Sequence, residues 1–449
     1  MGHAARMRLS SKLSVCCALC LLLGTIRPVH TQSSGSTKRR GPVDPAAAEL
    51  NRLLAAAQDA LDKQDFEAAA QNYQDYLAKK PDDATVHYDL GYVYTALERP
   101  DDAKAEYEKA IDLDPKMGPA YKNLGLTLLT SDPAAAVAPL QRASELLPDD
   151  ARTKWLLGTA FEKSGQNTSA IEQFQAAEEV DDKDPDIRES LAFALFRARR
   201  FAEAETAYRG ALSLQPDGAA LQKAHLGLAN SLLAEKKLDE AASEFAAYLA
   251  LAPNDTATRI ERASALVDLG KDDDALAELD RVAAAGPEGI RQLKLRSQIY
   301  WEKKRYDDAI PVLQKAAAIA PRDPDIPARL GRVYMQKKDY PNAVHWLATA
   351  YNINSGANDL LIDIIEAEYL NQNYAAALAG LDTLSKREEL PAGSVYLRAT
   401  CYDKLGQLEQ ALDAYQKFLQ LNKDENSDMY FVATSRVRAL TRELKEKKR

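Results

Sequence analysis

ATVHYDLGYVYTALERPDDAKAEYEKAIDLDPKM, residues 84–117, is the stretch that decides the fold. Leu90-Gly91, Tyr94, Ala103, Tyr107, Ala110 and Pro115 mark its pattern. Apolar and small side chains recur at steps of three and four in each half, as a helix burying one face requires. The pattern predicts two amphipathic helices joined by a short turn. Pro115 closes the unit, because proline lacks the N–H that a helix interior needs. Gly91 and Ala103 are expected where the two helices pass closest. A single hairpin leaves its faces uncovered, so it needs copies of itself on either side.

The copies are present. Sliding the register gives starts at 50, 84, 118, 151, 185, 222, 256, 290, 324, 358 and 392. The interval is 34, except for 33 after residue 118 and 37 after residue 185. The twentieth position reads Ala69, Ala103, Ala136, Ala170, Ala204, Ala241, Ala275, Ala309, Ala343, Ala377 and Ala411, alanine in every unit. The eighth position is small almost throughout, with Ile365 of the tenth unit the departure. Pro81, Pro115, Pro148, Pro216, Pro253, Pro287 and Pro321 fall where one helix must stop before the next begins. Pro100, Pro133 and Pro341 fall at the start of second helices, where a helix tolerates them.

On these residues the chain resembles the tetratricopeptide repeat family, with its 34-residue helix–turn–helix unit. The resemblance covers residues 50–425 and implies an all-α fold. That fold is a right-handed superhelical solenoid of about eleven repeats, spanning 46–425, with a C-terminal capping helix in 426–449. The cap is expected over Ser427–Lys447, where Ser427 starts a stripe of Tyr430, Ala433, Val437, Leu440 and Leu444. The three extra residues before 222 are expected to lengthen the first helix of the sixth unit.

Arg6, Arg8 and Lys12 precede an apolar run from Leu13 to Ile26. That order predicts a secretory signal peptide over residues 1–31, cleaved before Gln32. At about 1.5 Å per residue the run reaches only about 21 Å, short of the roughly 30 Å hydrocarbon core, so no transmembrane helix is expected in the mature chain. Residues 32–45, polar and rich in Ser and Gly, read as a flexible tether, with Asp44 capping and Pro45 opening the first helix. The chain is thus expected to be exported, periplasmic or extracellular if the source is bacterial. Beyond residue 31 one cysteine remains, Cys401, which cannot form an intrachain disulfide and is expected to be packed.

The formal net charge is −9, and residues 1–31 carry four cations and no acid, so the rest carries −13. So acidic a body excludes a general nucleic-acid binder. The repeats leave no stretch for a catalytic domain, and H-E-x-x-H, G-x-x-x-x-G-K-[ST] and G-x-S-x-G are all missing. His87, His225 and His345 lie far apart in sequence, without Cys or His at metal spacing. Neither enzyme activity nor a cofactor is expected.

By resemblance, the second, fifth, ninth, twelfth and thirteenth positions of first helices face the concave groove. The partner-binding candidates there are Tyr88, Tyr92, Lys122, Trp155, Phe193, Arg197, Asn230, Arg291, Lys294, Gln298, Trp301 and Arg332, with Phe196 and Tyr369 beside them. Aromatics with interleaved cations suit a peptide or partner segment. The competing reading packs the aromatics between neighbouring first helices. Around Trp301, the cluster of Arg291, Lys294 and Gln298 is expected to favour an acidic segment. The Lys-and-Asn clamp that some family members use for a terminal carboxylate is incomplete: Lys122 is present, but Tyr92 and Leu126 stand where the clamp has Asn. Arg262, Arg296 and Arg398 occupy the seventh position, usually Leu; either they face a ligand or their stems pack and their heads reach an edge acid. The expected function is a scaffold for a protein or peptide partner. A glycan-binding groove, or an accessory subunit of a cell-envelope enzyme complex, is the alternative.

Overall fold

A computed structural model describes residues 45–422, 424 and 427–447. The expected leader and tether in residues 1–44 lie outside the described residues. Pro45 is the first residue of α1 (Pro45–Asp62), followed by α2 (Phe66–Lys79), α3 (Ala84–Ala96) and α4 (Pro100–Leu113). Next come α5 (Gly118–Leu128), α6 (Pro133–Leu146), α7 (Ala151–Lys163), α8 (Asn167–Val180), α9 (Pro185–Arg197), α10 (Phe201–Ser213) and α11 (Gly218–Ala234). The chain continues with α12 (Leu238–Leu251), α13 (Thr256–Asp268), α14 (Asp272–Ala285), α15 (Ile290–Glu302), α16 (Tyr306–Ile319) and α17 (Asp325–Gln336). Last are α18 (Tyr340–Ile353), α19 (Asn358–Leu370), α20 (Tyr374–Ser385), α21 (Ala392–Lys404), α22 (Leu408–Leu421) and α23 (Asp428–Lys447). Odd-numbered helices up to α21 are the first helices of repeats, and even-numbered ones the second. The chain is a helical solenoid, with no strand among the described residues. The chain divides into two compact units, Met1–Lys237 and Leu238–Arg449, with the boundary between α11 and α12 in sequence.

Aspartates set many helix starts. Asp65, Asp132, Asp150 and Asp255 each accept the N–H three residues on, at 3.1, 3.0, 3.2 and 3.1 Å. Within a repeat the chain turns through one left-handed residue at the fifteenth position. Gln64, Glu98, Arg199, Lys236, Lys304, Lys338 and Gln372 take it with φ of 55–62°, and Gly165, Gly270 and Gly406 with φ of 70–78°. The next N–H then reaches back five residues, as Arg305 does to Tyr300 at 2.7 Å, which satisfies a carbonyl the helix end leaves open. The third repeat is one residue short, and it has no left-handed residue in its turn. At α11 the extra residues sit inside the helix, which runs 17 residues instead of the usual 13.

The eleven twentieth-position alanines are fully buried. The eighth position meets the twenty-fourth. A Cβ on Gly91 would lie 2.7 Å from the Tyr107 ring, on Gly125 2.3 Å from Leu140, and on Gly158 2.7 Å from Phe174. The space at Gly91 is therefore taken by a buried ring of the second helix, and Ala103 is not what fills it. Ile365 breaks the rule and is accommodated from the other side: Gly380 on α20 lies where a Cβ would stand 2.5 Å from Ile365. α23 packs on α22 through buried Ala433 and Leu440, and Arg436 grips Asp403 of α21 at 2.7 and 2.5 Å.

The three seventh-position arginines reach acids through packed stems. Arg296 bonds Glu288 and Asp280, each at 2.7 Å, and Arg398 bonds Asp382 at 2.9 Å. Arg262 pairs with Glu278, whose side chain is 3% exposed and which also receives Arg259 at 2.7 Å and Arg281 at 2.5 Å. Removing the buried carboxylate leaves the half-buried Arg259 and Arg262 guanidiniums without their counter-charge. Glu278→Ala should therefore destabilise the second unit by about 3 kcal/mol, read from its urea midpoint. A shift no larger than that of an exposed carboxylate such as Glu240→Ala would contradict the account.

Candidate functional site

The sequence candidates divide between the two units. In the first unit Tyr88 is 5% exposed, its ring 6.0 Å from that of Tyr107 and its hydroxyl accepting from Asn123 at 3.3 Å. Burial makes it core, so it offers no surface to a partner. Trp155 is half-buried: its N–H donates to Ser190 at 2.9 Å and the Arg152 guanidinium covers its ring at 3.8 Å. Lys122 is held 2.7 Å from Asp150, the N-cap of α7. Tyr92 and Asn230 are half-buried on α3 and α11. Phe193 is 39% exposed on α9, with Arg197 6.0 Å from its ring and 3.3 Å from Glu162.

In the second unit, Arg291 pairs with Glu261 at 2.7 Å, Lys294 with Asp323 at 2.6 Å, and Arg332 with Asp363 at 2.7 Å. Gln298 donates to Glu302 at 3.1 Å. The cluster expected to attract an acidic segment through Arg291 and Lys294 is thus already neutralised, Arg291 by a carboxylate of the preceding repeat and Lys294 by the last residue of its own. This corrects the expectation drawn from residue type alone, which counted cations and not their neighbours. The Lys294 hydrogen bond, opposed by burial and aided by the Asp325 N–H and the Arg329 charge, holds the Asp323 carboxyl below its usual range.

Twelfth-position aromatics pack across the turn onto seventeenth-position ones. Ring centroids are 5.5 Å apart for Phe196–Phe201, 5.7 Å for Trp301–Tyr306 and 5.7 Å for Tyr369–Tyr374. Trp301 still leaves 37% of its surface open. It walls a cavity of about 280 Å³ with Ser297, Leu313, Arg329, Arg332 and Val333. A second cavity of about 260 Å³ shares Arg329 and Arg332 and is flanked by Asp325 and Asp359.

Sequence reasoning missed the sixth position of the repeat. Ser190 there accepts from Trp155, Glu261 from Arg291, and Asp363 from Arg332, each serving a first helix of an adjoining repeat. The available signal was a run of polar residues where a buried face would be apolar: Asp89, Asn123, Ser190, Glu261, Arg329 and Asp363. Two of them stand apart. Asp89 is 3% exposed, and its Oδ2 has no hydrogen-bond partner among the described residues. Arg329 is exposed and makes no hydrogen bond or ion pair among the described residues.

Other chemistry is structural in character. His87 lies with Nδ1 2.5 Å from Glu106 and Nε2 3.0 Å from the Pro81 carbonyl, so both ring nitrogens are engaged. The Cys401 thiol is buried, which pushes it up to about 11. Among the described residues no three His, Cys, Asp or Glu gather to hold a metal ion, and no helix is long and apolar enough to cross a membrane.

Tetratricopeptide repeat models match residues 54–118, 130–186, 156–219, 190–256, 260–324, 300–350 and 392–425, well over half the chain. No curated protein matches in sequence. Solved structures similar to the chain include MamA residues 41 to the end from Desulfovibrio magneticus RS-1, at 22% identity and a TM-score of 0.36, covering 37% of this chain and 95% of that one. Pseudomonas aeruginosa pilF is similar at 21% identity and TM-score 0.39, covering 47% and 95%. Yeast Tom70 is similar at 14% identity and TM-score 0.33, covering 89% and 96%.

Proposed function

Because this chain belongs to the tetratricopeptide repeat family, we infer that it is a non-catalytic, exported scaffold that binds another protein on the faces of its first helices. The observation that carries the reading is the contrast along those faces. Most first-helix cations are tied to acids of their own or an adjoining repeat, whereas Phe193 and Trp301 keep more than a third of their surface open. Aromatic side chains left open on a rigid surface are what partner proteins anchor on. Export is supported by the charged, apolar and then polar order of residues 1–31.

The test is affinity capture by the mature chain from its native host, with N-terminal sequencing of the endogenous protein. The expected outcome is a chain beginning near Gln32 that retains a protein partner, with capture lost in Phe193→Glu, Trp301→Ala or both. An intact Met1 ends the export proposal, and capture unchanged in the double variant ends the first-helix one. Open aromatic faces also suit sugar rings. Retention of glycans on a carbohydrate array, with no protein captured, would move the reading to a polymer-binding groove.

A further inference from the structure

We propose that the cavity walled by Trp301, Arg329 and Arg332 is a binding site for a peptide segment in which one carboxylate side chain stands beside one bulky apolar side chain. The proposal rests on the protein-binding reading and specifies the partner's chemistry at one place.

Leu313 and Val333, each 1% exposed, and Ser297, 3% exposed, form the buried side of the cavity. Trp301 stands over it from α15, braced edge-on by Tyr306 across the turn, so its indole is positioned before any ligand arrives. At about 280 Å³ the cavity falls just under the roughly 300–1,000 Å³ of sites that engulf small molecules. It has room for one large side chain of a chain that continues outside.

Charge sets the other half of the selectivity. Arg332 is committed to Asp363 at 2.7 Å, with Asp359 at 3.6 Å, and is held still by them. Arg329, one helical turn earlier on the same face of α17, has no such commitment. Its fork of donors makes no hydrogen bond, although the Asp323 carboxylate is near enough to feel its charge, and a carboxylate is the planar group that fits such a fork. Beyond the two guanidiniums, the second cavity carries Asp325 and Asp359. A further acid on that side of the ligand would meet like charge. The site therefore selects a single acidic residue next to an apolar one, and disfavours an acidic run.

The experiment selects a phage-displayed random dodecapeptide library on the full mature chain and measures the enriched peptides, made with blocked ends, by fluorescence anisotropy. The expected peptides carry Asp or Glu within two residues of Leu, Ile, Met, Phe or Trp. Replacing the acid with its amide should weaken binding about tenfold, as should Arg329→Glu and Trp301→Ala, with helicity and melting unchanged. Exchanging the peptide's acid for Lys should restore part of the affinity of Arg329→Glu. Enriched peptides without an acid, affinities unchanged in Arg329→Glu, or no binder at all would each overturn the proposal. Peptides insensitive to Arg329→Glu but lost in Phe193→Glu would leave the first-helix reading standing without this site. Peptides insensitive to every first-helix variant would remove both.

Discussion

Gly91→Leu should destabilise the hairpin of α3 and α4 by about 3 kcal/mol, the upper end of the usual cost of overpacking a core. A Cβ at this position would already lie 2.7 Å from Cε1 of Tyr107. The ring cannot swing aside cheaply. It is 1% exposed, and its hydroxyl is bonded to Thr95 at 3.0 Å and to Asn123 at 3.4 Å. Adding three further carbons must push the two helices apart or break those bonds. The control is Gly393→Ala on α21, where an added Cβ meets nothing within 4 Å. That change should be neutral or stabilise by up to about 1 kcal/mol, because alanine loses less entropy in a helix than glycine does. Hydrogen exchange of amides in α3 and α4 reads the first variant locally. Protection unchanged in Gly91→Leu would mean that the eighth position is not a close contact.

The second large effect concerns pH. Asp89 is buried on α3, and burial, aided by the charge of Asp83, raises its carboxyl from 3.8 to about 7. Tyr73 and Tyr88 are the other titratable groups near it, both raised first by burial and then by the Asp89 charge. The folded pKa lies above the unfolded one, so the native state holds a proton that the unfolded chain has shed. Below about pH 4 Asp89 adds no pH dependence. From there to about pH 7 stability falls as pH rises, and above that the loss is constant. The shift corresponds to about 4 kcal/mol at most. Asp89→Asn removes the titration, so the variant should gain on the parent across that window and stay ahead above it. A difference independent of pH between 4 and 8 would show that Asp89 is solvated or paired.

What the sequence made legible was steric. Alanine at the twentieth position and a small residue at the eighth report how closely two backbones run, and that requirement sits inside one repeat. The elements that stayed hidden depend on side chains about 30 residues away. Lys294 reads as a free cation until Asp323 is placed beside it, and Trp155 reads as an open anchor until Ser190 takes its N–H. Arg329 was overlooked because it stands at the sixth position, outside the positions that the resemblance turns to the groove. Ile365 looked like a flaw in the register, since the compensating Gly380 sits on the opposite helix. The left-handed turn residues also escaped notice, because Lys, Arg, Gln or Glu occupies seven of the ten such positions.

The central claim is that binding occurs on first-helix faces. Its most direct test is hydrogen–deuterium exchange of the mature chain with and without its captured partner. The account predicts new protection in first helices, foremost α15 and α17 around Trp301 and Arg329 and α9 around Phe193. Protection confined to the second helices α14, α16 and α18, or to α23, would contradict it.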